Sequence, residues 1–128
     1  MVLRTSYVYD SPDDWMVPVE AARDNARVFE ALFTNAGGVI NGFPQPMSLE
    51  AHRAKANFVS EAVHDNLMFG TPEEVVRKLR GYEALGIDSY CFGANLGLPH
   101  ELTMRSLELF ANEVMPHFTP VHAEAVAD

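Results

Sequence analysis

The stretch GTPEEV, from Gly70 to Val75, decides how the last third of the chain folds, because it predicts the start of a helix. Thr71 is a favoured N-cap residue, Pro72 fits the first helical position, and Glu74 can complete a capping box with Thr71. An apolar stripe at helical spacing follows the stretch, at Val75, Val76, Leu79, Tyr82 and Leu85. The pattern predicts a helix that Gly86 ends.

The residues after this helix predict one strand and one closing helix. The segment from Ile87 to Phe92 is predicted to form a short strand, and a glycine-containing loop follows it. Pro99 opens a last amphipathic helix, which Pro116 and Pro120 end. A helix, a strand and a helix in succession indicate part of an α/β fold.

The first half of the chain predicts one strand and two helices. Residues 2–9 alternate as a strand, and Ser11-Pro12 opens a helix in which Pro18 marks a kink or restart. Residues 37–48 predict a loop that exposes apolar side chains, followed by a helix from Ser48 to about His64 and by residues 65–69 as an irregular segment or short strand. Two strands make a poor sheet by themselves, so the pattern indicates that further strands come from copies of the chain or from a partner.

Composition limits the possible partners of the 128-residue chain. The net charge of −9 makes nucleic acid and anionic membranes unfavourable partners. The single cysteine, Cys91, excludes a disulfide within the chain, and its place in the predicted strand predicts that it is buried and unreactive. No apolar run reaches the length of a membrane span, and we expect a soluble, cytoplasmic protein. The five histidines show no metal-ligand spacing, so no metal site is expected.

Three motifs taken in order resemble the C-terminal end of the bacterial luciferase-like family, whose members are flavin-dependent monooxygenases and oxidoreductases built on a TIM barrel. Gly70 to Val75 is similar to the start of the seventh barrel helix, Gly86 to Phe92 to the eighth strand, and Leu107 to Pro116 to the closing helix with its Val-Met-Pro ending. Cys91 to Asn95 is also similar to the corresponding strand end of the luciferase α-type subunit.

The resemblance implies an α/β chain that forms the C-terminal part of a (β/α)8 TIM barrel, helix-rich and incomplete alone. Residues 1–35 would supply strand seven and a helix, residues 36–69 the insertion before the last βα unit, residues 70–118 helix seven, strand eight and helix eight, and residues 119–128 a tail. A full barrel takes about 250 residues, so the chain is expected to be a single partial domain.

The same resemblance implies an enzyme that oxidises an apolar organic substrate with O2 and reduced flavin. The cofactor would be FMN or another reduced flavin, with a deazaflavin as an alternative, and tight binding to this chain alone is not expected. The implied partners are the missing N-terminal barrel half or further copies of the chain, together with a flavin reductase. The alternative function is that of a non-catalytic truncated relative that self-associates or acts as an accessory subunit.

Candidate site residues follow from the rule that TIM-barrel activity lies at the carboxyl ends of the strands. Phe92 either walls a pocket or fills the barrel interior, and Asn95 either hydrogen-bonds a flavin or substrate or supports the loop turn. His100 is the weak catalytic candidate because it begins the last helix at this edge, although it equally fits a surface position. Phe43, in a loop that suits either a lid or a docking surface, and Met68 complete the pocket candidates.

Overall fold

The computed structural model describes residues 1–34, 38–45, 47–55 and 58–118, and it is α/β, helix-rich with a small parallel sheet. The strands are β1 (Val2–Val8), β2 (Val39–Ile40), β3 (Phe43–Pro44), β4 (Met68–Gly70) and β5 (Tyr90–Gly93). The helices are α1 (Met16–Thr34), α2 (Leu49–Arg53), α3 (Ser60–Asn66), α4 (Pro72–Ala84) and α5 (His100–Leu109). A 3-10 turn, Pro12–Trp15, precedes α1, and a π-helical turn, Phe110–Val114, extends α5 into a 3-10 turn, Met115–His117. The predicted tail lies outside the described residues.

Strands β1, β4 and β5 form a three-stranded parallel sheet in the order β4-β1-β5. Ser6 lies opposite Met68 in one pair, and Leu3 lies opposite Cys91 in the other. The pairing of β1 with β5 fits two adjacent barrel strands. However, three consecutive barrel strands would place β4 between β1 and β5, because each βα unit adds its strand beside the previous one. The sheet of this structure therefore has β1 at its centre instead.

Each face of the sheet has its own apolar core, as the alternation along β1 predicts. Tyr7 and Tyr9 point to one face, and Val8 points to the other. In the first core these tyrosines pack with residues of α1, α3, β4 and the loop after β5, namely Val19, Ala22, Val63, Phe69 and Leu96. In the second core Val8 packs with residues of β4, α4, α5 and the turn after α5, namely Met68, Val75, Leu79, Leu109 and Val114. The carboxyl half of the sheet is thus covered on both faces.

The amino half of the first face is open. Leu3 is 64% exposed, and Cys91, its register partner on β5, is exposed as well. The prediction that Cys91 is buried was therefore wrong, because the first core reaches only the Tyr7 and Tyr9 end of β1 and leaves the opposite end of that face uncovered. An open apolar patch on a sheet is a site where other chains or segments can pack.

The predicted start of α4 is confirmed. The Glu74 backbone N–H donates to Thr71 Oγ1, and the Glu74 side chain accepts from the Thr71 backbone N–H at 2.9 Å, so both halves of the capping box are present. The helix thus begins with Pro72 at its first position, as the sequence indicates.

Other boundaries differ from the predictions for local reasons. Residues 37–48, predicted as a loop, contain the β2–β3 hairpin, whose two-residue turn uses Asn41 and Gly42 at φ of 51° and 82°. The predicted helix from Ser48 to about His64 is divided into α2 and α3. Pro18 causes no break, because it lies in the first turn of α1, where the missing N–H is tolerated.

Candidate functional site

The carboxyl ends of the three parallel strands lie at one edge of the sheet. Tyr9 follows β1, Thr71 follows β4, and Ala94 follows β5. In open α/β sheets ligands bind outside the carboxyl ends of the strands, where the connections diverge to either side. In this sheet the chain runs from β1 to β4 on one side of β1. It later crosses from β4 to β5, which lies on the other side of β1. The carboxyl end of β1 is therefore the place where a ligand is expected.

A hydrogen-bonded pair occupies this place. Tyr9 Oη lies 2.9 Å from His64 Nε2, and the tyrosine is 4% exposed. The Trp15 ring meets the His64 ring edge-on, with 5.8 Å between their centroids, and His64 Nδ1 lies 3.5 Å from Asp65 Oδ1. The imidazole is thus held by groups from the end of β1, from the turn before α1 and from its own helix.

The Tyr9 phenol remains protonated at neutral pH. Burial, the largest cause, and the nearby carboxylates of Glu74 and Asp14 together raise its pKa to about 12. A neutral phenol can donate one hydrogen bond and accept another. Tyr9 therefore presents a neutral hydroxyl that is hydrogen-bonded to His64 at the sheet edge.

A crevice too narrow to admit a water molecule runs between the end of β1, the end of β5 and the start of α5. Phe92 forms part of its wall, and the Phe92 ring also packs on Phe110 with centroids 4.8 Å apart. Phe92 thus lines the crevice and packs in the second core, and its role as the wall of a substrate pocket stays a prediction.

Asn95 and His100 lie at the same edge, in the loop after β5 and in the first turn of α5. Both are exposed, and the Asn95 backbone carbonyl accepts a hydrogen bond from Asn25 Nδ2 of α1 at 3.3 Å. This backbone contact supports the loop. A hydrogen bond from the Asn95 side chain to a flavin or substrate stays a prediction. The structure thus brings Phe92, Asn95 and His100 to one edge.

Phe43 and Met68 do not join them. Phe43 is 72% exposed on the β2–β3 hairpin, and Met68 is 2% exposed in the core beneath α4. Their roles in a pocket also stay predictions. No sequence pattern indicates the Tyr9–His64 pair, because 55 positions separate its members. Only the parallel pairing of β1 with β4 brings the end of α3 beside Tyr9.

The described residues do not enclose a flavin by themselves. The crevice at the carboxyl edge has no room for a ligand, whereas typical ligand pockets hold ~300–1,000 Å³. A groove of about 430 Å³ lies between the start of α4 and the turns that follow α5, but Glu73 and Glu113 line it and would repel a phosphate. Within the described residues, the carboxyl edge therefore forms no pocket of ligand size by itself.

The described residues show neither a metal-binding cluster nor a membrane-spanning helix. In residues 1–34, 38–45, 47–55 and 58–118, no group of three His, Cys, Asp or Glu side chains is placed to hold a metal ion. In the same part of the chain, no helix is long and apolar enough to cross a membrane.

Over 119 residues the chain is 36% identical to the flavin-dependent trigonelline monooxygenase, oxygenase component, of Acinetobacter baylyi. The chain is similar to the oxygenase component of a flavin-dependent monooxygenase. The match covers 93% of the chain and 33% of the relative, so the chain spans about a third of the length of this protein. No protein-family model and no solved structure matches the chain.

Proposed function

We propose that the chain is the barrel-closing part of the oxygenase component of a luciferase-like flavin-dependent monooxygenase. The observation that carries the proposal is the 36% identity to the Acinetobacter enzyme across 93% of the chain. Such an enzyme oxidises an organic substrate with O2 and a reduced flavin, for which FMN is the first candidate and a deazaflavin the alternative. Because the relative is named as an oxygenase component, we also propose a separate flavin reductase as a partner.

The carboxyl edge of the sheet would contribute one wall of the active site. Phe92 offers an apolar surface, Asn95 and His100 offer exposed polar side chains, and the Tyr9–His64 pair offers a buried hydrogen-bonding group behind them. In a flavin enzyme the cofactor carries the difficult chemistry, and the protein orients the substrate and excludes water. The catalytic role of His100 remains part of this proposal, as do the pocket roles of Phe43 and Met68.

The substrate class is part of the proposal as well. The aromatic and aliphatic side chains that line the crevice, among them Tyr7, Phe92, Leu96 and Leu98, favour an apolar substrate. The name of the relative adds trigonelline as the first compound to test.

A complete barrel requires strands that this chain does not supply. Within the described residues, β4 and β5 each pair with β1 alone, so one edge of each is available to further strands. We propose that the remaining barrel strands pair at these free edges, while β1 and β5 stay adjacent as strands seven and eight. The open face at Leu3 and Cys91 would become part of the barrel interior.

A chimera tests the proposed function. The matched segment of the Acinetobacter oxygenase is replaced by this chain, and O2 consumption that depends on trigonelline is measured with a supply of reduced flavin. We expect activity within roughly 100-fold of the parent enzyme, since a small misplacement of catalytic groups costs about that factor. A deletion control, with a flexible Gly-Ser linker in place of the segment, is expected to be inactive.

The result that contradicts the proposal is a chimera that unfolds cooperatively, and is thus folded, but neither binds flavin nor consumes O2 above the linker control. Cooperative unfolding of the chimera is therefore measured alongside activity, so that a misfolded protein is not taken for an inactive one.

The open face favours a second candidate function, a self-associating accessory subunit. Leu3 and Cys91 leave part of the sheet face uncovered, and unpaired strand edges promote association between copies. Size-exclusion chromatography with light scattering of the chain alone is expected to give a dimer or larger oligomer whose proportion rises with concentration. A Leu3→Lys variant should then shift toward the monomer, and a wild-type chain that stays monomeric at high concentration excludes this function.

A further inference from the structure

The short helix α2 is held against α1 by a buried histidine. His52 is 0% exposed, although α2 has only five residues and most of its other side chains are exposed. The His52 ring stacks on the Phe58 ring, with centroids 4.0 Å apart. A helix this short has little stability of its own, so its position depends on such packing.

Charged groups surround the imidazole. His52 Nε2 lies 3.6 Å from Glu30 Oε2 of α1, and neither ring nitrogen has a hydrogen-bond partner among the described residues. The other charged groups that face it are Arg23 and Arg27 of α1 and Lys55, which follows α2. Phe58, which precedes α3, adds no charge. Three cations and one carboxylate therefore act on a ring that is out of contact with water.

Ion pairs at the surface of the same interface also link α2 and the residue Lys55 to α1. Arg53 pairs with Glu20, and Lys55 pairs with Glu30. The Arg27 guanidinium also donates to the Met47 carbonyl at 3.2 Å. Pairs of this kind on the surface contribute little each, up to about 1 kcal/mol, so the buried ring is the larger determinant of docking.

We propose that α2 is docked on α1 by a proton-controlled latch: the helix stays docked while the His52 imidazole is neutral and is released when the imidazole is protonated. A neutral ring stacks on Phe58 without a desolvation cost for charge. A charged ring would be buried without a hydrogen bond beside Arg23, Arg27 and Lys55, and one carboxylate at 3.6 Å compensates only in part.

The electrostatics give the direction of the pH dependence. Burial is the largest cause that lowers the pKa of His52, and the neighbouring cations lower it further against the opposite effect of Glu30. A docked state with a lowered pKa binds fewer protons than the undocked state below about pH 6.5. Docking is therefore fully present above the ordinary histidine pKa and is lost as the pH falls through the pKa of the docked state.

Hydrogen exchange of the full chain tests the latch. Protection of the amides in residues 47–55 is measured near pH 7.5 and near pH 5.5, after correction for the intrinsic exchange rate. We expect protection to fall by up to about tenfold at the lower pH, which is the limit for uptake of one proton at a reference pKa of about 6.5. Wild-type protection that is equal at both values overturns the proposal.

Two variants assign the effect to His52. In His52→Phe the ring stays apolar and cannot be protonated, so protection of residues 47–55 should be independent of pH. His100→Gln removes an exposed histidine of α5 and should leave the wild-type pH dependence unchanged. A fall in protection that persists in His52→Phe would overturn the assignment. If that variant does not fold, direct NMR titration of the wild-type His52 ring replaces it, and a pKa at or above the ordinary histidine value contradicts the latch.

Discussion

Replacement of Lys78 by methionine is expected to lower the free energy of unfolding by about 3–4 kcal/mol. The Lys78 ammonium group donates to three backbone carbonyls, those of His64 at 2.8 Å, Leu67 at 2.9 Å and Phe69 at 2.9 Å. It thereby joins the end of α3 and strand β4 to α4. Methionine retains the apolar length of the side chain but removes every donor, so these carbonyls lose their charged partner.

Arg77→Met is the matched control. Arg77 precedes Lys78 on the same helix and is exposed, so its replacement removes the same charge and should change stability by less than about 0.5 kcal/mol. Urea unfolding followed by circular dichroism measures both variants. A loss of under about 1 kcal/mol in Lys78→Met would show that the three carbonyls find other donors, and that the ammonium group does not fix β4 beside α4.

Introduction of a cysteine at position 3 is expected to produce a disulfide with Cys91 and to stabilise the oxidised chain by about 4 kcal/mol. Leu3 and Cys91 are register partners on neighbouring parallel strands, and both are exposed on the same open face. Neighbouring strands are about 4.8 Å apart, which is within the Cα separation that a disulfide spans. The closed loop is long, so the entropy removed from the unfolded chain is large.

The Leu3→Cys variant in a Cys91→Ser background is the control, because it has one thiol and cannot form the bond within the chain. Free-thiol titration and unfolding with and without reductant measure the result. If Leu3→Cys stays reduced under oxidising conditions, β1 and β5 are not neighbours in solution, and the order β4-β1-β5 is wrong.

The same cysteine pair also tests the proposed barrel. Strands seven and eight are neighbours in a barrel, so the two positions would stay within the Cα separation that a disulfide spans. We therefore expect the disulfide to form both in the isolated chain and in the chimera with the Acinetobacter enzyme. A disulfide that forms in the isolated chain and is absent from a folded chimera would contradict the assignment of β1 and β5 to adjacent barrel strands.

Local signals in the sequence were sufficient for several elements. The capping box at Thr71 and Glu74 involves neighbours in the chain, and its geometry is confirmed. The alternation of residues 2–9 likewise predicted which side chains of β1 share a face, because a strand turns successive residues to opposite sides. The short strand β4 carries too few residues for a periodic signal, so it remained ambiguous between strand and irregular segment.

Exposure and distant contacts were less predictable. Cys91 fits a buried strand by residue type, but its exposure depends on how far the neighbouring helices extend over the sheet. The two members of the Tyr9–His64 pair are a strand-end tyrosine and a helix-end histidine, and neither is unusual at its own position. Their meeting depends on β4 pairing beside β1, which no short window of sequence reports.

The sequence by itself determined the α/β class, the start of α4, the two-faced character of β1 and the similarity to a flavin-dependent oxygenase. Each of these depends on residues close together in the chain or on residue identity along it. Only the tertiary structure decided that β1 lies at the centre of the sheet, that His52 is buried beside Glu30, and that Tyr9 meets His64. These contacts join segments far apart in sequence, and their free energy comes from burial and hydrogen bonding that exist only after the chain has folded.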